Sequence, residues 1–173
     1  MKFARVAVPL VAVLMFAGCG TPSGATAFQV GDQKVSEKLV DQTAEACATI
    51  MQKEPREIRT QVAQLLLFGE LAPAIAKVGG IELTPAMETK TLAQLNTGAV
   101  MSDPACAKSA TALAKFGAVS EKLGQEKTIA AMKKLDVKVN PAYGTFDPST
   151  AQFSLTSGSL SSEDLGLGKV FGN

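Results

Sequence analysis

The chain has 173 residues, 17 basic against 16 acidic side chains, a formal net charge of +1 and no histidine. Near-neutrality removes the strongly basic face that electrostatic capture of nucleic acid requires. Without histidine there is no Ser-His-Asp or Cys-His nucleophile and no imidazole zinc site; with no phosphate loop or dinucleotide fingerprint either, the sequence argues for a non-enzyme without metal or cofactor.

The N-terminus, MKFARVAVPLVAVLMFAGCGTPSG, opens with Lys2 and Arg5 and continues as an apolar run from Val6 to Phe16. Crossing a hydrocarbon core takes about 20 helical residues, so residues 1–18 read as a signal peptide. Phe16-Ala17-Gly18-Cys19 resembles the lipobox of bacterial lipoproteins, with Phe16 where Leu is usual. That resemblance implies a diacylated Cys19 as mature N-terminus, anchoring the chain to the extracytoplasmic side of the cell membrane. The alternative is an ordinary secretory signal whose small residues include a cysteine. Cleavage takes two of the 17 basic residues and none of the 16 acidic ones, leaving a formal charge of −1. Residues 19–26 are small and polar, a short tether.

After lipidation two cysteines remain, Cys47 and Cys106. In an oxidising compartment an even remainder argues for a disulfide bond stapling two helices. A bridge across a loop of about 60 residues would stabilise the fold by roughly 4 kcal/mol by chain entropy. The alternative is two buried free thiols.

One domain, 27–156, follows the tether, and the Gly/Ser-rich tail 157–173 reads as flexible. TAFQVGDQKVS predicts a hairpin, with Phe28 and Val30 on one face and a tight Gly31-Asp32 turn. Ser36 caps a first helix, with Val35 and Val40 as a hydrophobic staple. Leu39, Thr43, Ala46 or Cys47, and Ile50 form its expected buried stripe. Glu37 and Asp41 on this helix read as a solvated carboxylate pair, as does Glu163-Asp164. Pro55 starts a second helix that is apolar nearly all round from Val62 to Phe68, the pattern of a core helix or of a partner surface. Gly69 and Pro73 are expected to kink it. Thr84-Pro85 and Asp103-Pro104 start two more helices, and QEKTIAAMKKL a short last one. The predicted fold is mainly α, a small bundle of about five helices with short β elements at both ends.

The stretch VNPAYGTFDP interrupts this helical pattern. DVKV alternates as a strand, Asn140-Pro141 ends it, Gly144 permits a bend and Asp147-Pro148 sets a turn. AQFSLTS then puts Phe153 and Leu155 on one face. With Tyr143 and Phe146, these residues predict an apolar strap pairing with the strands at 27–35, a structural role.

Three stretches carry a resemblance. AFQVGDQKVSEKLVDQ resembles the opening V-V-N-G-E-x-I-T-x-S-E-L of SurA-type periplasmic chaperones and foldases. VGGIELTPAMETKTLAQL is similar to their link G-V-x-V-T-x-x-E-V, and DVKVNPAYGTFDP resembles the ending D-V-x-V-N-P-R-Y-G-x-W-D-P of actinobacterial lipoproteins with a SurA-like N-terminal domain. Together they cover nearly all of residues 27–148. Gly31-Asp32 replaces Asn-Gly, Ala142 stands where the family tends to have Arg, and Phe146 where it tends to have Trp. The length leaves no room for a parvulin prolyl-isomerase domain. The resemblance therefore implies a client-binding module without isomerase activity: a membrane-tethered holdase for unfolded or exported polypeptides. The alternative is an adaptor or scaffold lipoprotein docking one cell-envelope partner. Candidate client contacts are Val62, Leu66, Leu67 and Phe68, with Met51, Met87, Met101 and Met132 as adaptable apolar side chains.

Overall fold

A computed structural model describes residues 24–95 and 97–154. Cys19, Leu155 and the tail 157–173 lie outside the described residues. Strands β1 (Thr26–Val30) and β2 (Gln33–Ser36) form the expected hairpin, with Phe28 opposite Val35. Strand β3 (Val137–Val139) pairs antiparallel with the other edge of β1, setting Phe28 opposite Val139. The order is β2-β1-β3, so the two ends of the domain share one sheet. The rest of the strap forms its own hairpin, β4 (Thr145–Asp147) and β5 (Gln152–Ser154), with Phe146 opposite Phe153.

Helix α1 (Glu37–Met51) starts as the sequence predicts, the Ser36 hydroxyl accepting from the Leu39 N–H at 3.2 Å. Its buried stripe lies to one side of the expected one. Val40, Thr43, Ala44, Cys47 and Ala48 are buried, whereas Leu39, Ala46 and Ile50 are only partly covered. The helix packs on α2 and on both hairpin strands, and the small Ala44 and Ala48 let these neighbours approach.

Helix α2 (Pro55–Gly79) is the hub, with Pro55 in its first turn, and it runs on through Pro73. It touches α1, both strands of the hairpin, α4 (Ala107–Leu123) and α5 (Gln125–Met132). That explains an apolar circumference: neighbours cover it on most sides. Length and composition would let α2 cross a membrane, but 56% of its most apolar window is buried inside the domain. Gly69 serves the crossing with α4, because a Cβ there would come within 2.9 Å of the Ala112 Cβ. Across the same crossing the Phe68 and Phe116 rings stack with centroids 4.4 Å apart.

Helix α3 (Pro85–Gln94) begins with Thr84 accepting from the Met87 N–H. The device expected at Asp103-Pro104 differs. Asp103 Oδ1 accepts from the N–H groups of Ala105 and Cys106, at 2.7 and 3.0 Å, closing a turn; α4 starts only at Ala107. Pinning Cys106 this way sets it beside α1. Cys47 and Cys106 form a disulfide bond with Cα atoms 4.8 Å apart, which excludes the free-thiol alternative.

Candidate functional site

Two constellations of polar side chains stand out, and the first explains the NPAYG motif. Asn140 accepts from the Ala142 N–H, and Pro141–Tyr143 form one 3-10 turn. Gly144 follows at φ +82°, a conformation that resists any residue with a Cβ. The turn drives Tyr143 into the core at 1% exposure. Its hydroxyl donates to Glu37 Oε2 at 2.6 Å, while Asn140 Nδ2 donates to Glu37 Oε1 at 2.8 Å. Arg59 donates to the same Glu37 carboxylate at 2.6 Å and to Asp41 at 2.7 Å. The guanidinium also lies 5.1 Å from the centre of the Tyr143 ring, a cation–π contact. Glu37 is therefore the clasp residue on which α1, α2 and the strap meet, contrary to the expected solvated pair. Asp41 is exposed as expected and adds a second contact to Arg59. Ala142, at the position where the resemblance has Arg, is exposed and adds only its backbone N–H.

Burial, and then the hydrogen bond to Glu37, push the Tyr143 phenol well above its ordinary value of 10.0. The chain has one tyrosine and no tryptophan, so tyrosinate absorbance reports this group alone. In the unfolded chain the phenol loses its proton first. The clasp's contribution is thus fully present below pH 10 and falls as pH rises from there towards the native value. The native titration should lie clearly above that of the urea-unfolded chain; coincident curves would contradict the clasp.

The second constellation is a half-open cleft of about 730 Å³ between the helices and the β4–β5 turn. Phe68, Phe116, Ile129 and Met132 give it an apolar lining from α2, α4 and α5. Residues 149–152 form its lip. The lip is shaped by Asp147, whose carboxylate accepts from the Ser149 N–H at 2.8 Å and from the Thr150 hydroxyl at 3.1 Å. The Ser149 contact, the stronger cause, holds the Asp147 carboxyl below its ordinary pKa. Ala151 then takes φ +57°, and its carbonyl accepts from Gln64 Nε2 at 3.0 Å. A left-handed residue with a Cβ costs about 1–2 kcal/mol, so this turn is held by its contacts rather than by its own preference.

The polar atoms of the cleft are unusual. Among the described residues three buried side-chain polar atoms lack a partner, Thr43 Oγ1, Gln64 Oε1 and Ser120 Oγ. Gln64 and Ser120 both line this cleft. No Lys or Arg lines it, and Glu121 is its single charged residue.

Comparison of the chain with family models, curated proteins and solved structures finds no match. Of the four expected client contacts, Val62, Leu66, Leu67 and Phe68 are 3, 7, 0 and 2% exposed, all in the core, and Phe68 alone of them reaches the cleft. Met132 joins it there, whereas Met51 and Met101 are exposed elsewhere on the surface. Gln64 and Phe116 were not among the sequence candidates. Gln64 carries a readable signal: it is the one polar residue in the apolar run VAQLLLF. Among the described residues no group of three or more His, Cys, Asp or Glu side chains is placed to hold a metal ion.

Proposed function

We propose that the chain is a membrane-anchored, extracytoplasmic chaperone-like lipoprotein. It holds unfolded or exported polypeptides without catalysing a reaction on them. The observation that carries this reading is the cleft, with an apolar floor, a polar rim whose one charged residue is Glu121, and a volume in the range that takes a few side chains. The Cys47–Cys106 bridge suits the oxidising compartment that the signal segment implies. The client contacts of this reading are Phe116, Ile129 and Met132 around Phe68, rather than the whole run from Val62.

Ile129 is half-buried and lines the cleft, so Ile129→Arg should leave the unfolding midpoint almost unchanged. It should nevertheless cut suppression of aggregation of an unrelated unfolded protein several-fold. Full activity in a folded Ile129→Arg chain would remove the cleft from the function, and an inactive native chain would favour the adaptor reading. Anchoring is tested separately, by mass spectrometry of the N-terminal peptide from the membrane fraction. A diacylated Cys19 is the expected result; an unmodified Cys19 or a different mature N-terminus overturns the lipoprotein assignment.

A further inference from the structure

We infer that the cleft reads the polypeptide main chain: the N–H of an apolar residue donates to Gln64 Oε1 while its side chain lies over Phe116, Ile129 and Met132. This deepens the chaperone-like reading and rests on it. A side-chain amide has two edges, and in this structure one is already used on main chain, since Gln64 Nε2 donates to the Ala151 carbonyl at 3.0 Å. The other edge has no donor, although Gln64 is 1% exposed. A buried acceptor without a partner is costly, and natural folds rarely leave one without a reason. Ser120 Oγ is the second unpartnered atom lining the same cleft, and a hydroxyl both donates and accepts.

A ligand group suited to this cleft donates to Gln64 and can accept from or donate to Ser120. It is not an anion, because no cation lines the cleft to balance a carboxylate or phosphate. A neutral group suits the cleft best, because the one carboxylate there, Glu121, is already paired with Lys90 at 2.6 Å. A secondary amide beside an apolar side chain meets all three conditions. The peptide bond is such a group, and a polypeptide presents it at every residue, which would let one site accept many sequences. Gln64 Oε1 is closed to bulk water, so a donor that reaches it comes from the cleft side, with the Ala151 contact still holding the other edge of the amide.

The test is calorimetric titration of the full-length chain with the capped peptide acetyl-Gly-Ala-Leu-Ala-Gly-amide and two relatives. One is methylated on the leucine nitrogen and lacks that N–H; the other is methylated on the last glycine nitrogen and keeps it. Methylation at leucine should weaken binding on the order of tenfold, the usual worth of one buried hydrogen bond. Methylation at the last glycine should change it little. In Gln64→Met, which keeps the volume but has no amide, the leucine-methylated and parent peptides should bind alike. Equal binding of all three peptides to the native chain, or no binding of any, overturns the inference without recourse to a variant. So does a methylation penalty that persists in a folded Gln64→Met chain. If aggregation is suppressed but the three peptides bind equally, main-chain reading fails and the chaperone-like function stands. If peptide binding is methylation-sensitive but aggregation is not suppressed, the site stands and the holdase function fails.

Discussion

Removing the Cys47–Cys106 bridge should lower the stability of the domain by about 4 kcal/mol. The bridge closes a loop with a sequence separation of 59, and the conformational freedom it denies the unfolded chain scales with the logarithm of that length. Domains of this size are stable by roughly 5–15 kcal/mol in total, so about a quarter or more of the margin is at stake. The bridge also ties α1 to the start of α4, which α2 otherwise holds together through packing. Thermal unfolding of the Cys47→Ala, Cys106→Ala double variant is the cleanest measurement, since both sulfurs are buried and alanine leaves no free thiol. The midpoint should fall on the order of 10–15 °C. A fall of only a degree or two would mean that the unfolded chain is compact enough to gain little from the cross-link.

Leu67→Ala should cost 2–5 kcal/mol, the usual range for deleting a fully enclosed leucine side chain. Leu67 is 0% exposed on the helix that α1, α4, α5 and both strands of the hairpin pack against. Urea unfolding with unchanged slope and a lower midpoint is the expected outcome. A loss below about 1 kcal/mol would mean the site is open, restoring Leu67 to a client surface. The contrast with Ile129→Arg matters as much as either value. One variant should unfold readily yet bind while folded; the other should fold normally and bind poorly.

Local chemistry was legible in the sequence, and long-range company was not. The cap at Ser36, the starts at Pro55 and Thr84-Pro85, and the Gly31-Asp32 turn need only neighbouring residues, and each stands where the sequence put it. The five-helix architecture with flanking strands followed from those boundaries. Periodicity failed on two helices for different reasons. On α1 the alanines at 44 and 48 carry the packing although their hydropathy is modest, so the visible Leu39 and Ile50 misplace the stripe. On α2 a run that is apolar on every side gives no phase, and an enclosed helix reads the same as one with an exposed face.

The clasp and the cleft were beyond such patterns. Glu37 and Tyr143 are 106 residues apart, and Gln64 and Ala151 are 87 apart. Neither pair leaves a periodic trace. What the sequence did offer at each was an anomaly: a dense turn motif at NPAYG, and a glutamine within a run of aliphatic residues. The first proved structural. The second marks the cleft.

The pairing of β1 with β3 also fixes an order of events. Phe28 meets Val139, so the middle position of the sheet is filled by the first strand made and one edge by a strand made only after all five helices. A chain emerging N-terminus first carries a two-stranded ribbon that is marginal by itself. Its Glu37 carboxylate lacks the Tyr143 and Asn140 donors until residue 143 arrives. Contacts this distant in sequence slow folding, because the loop must close before they repay it. The helices can associate early, but native closure waits for the strap. Until then, the bare edge of β1 is the part of the newborn chain most open to mispairing.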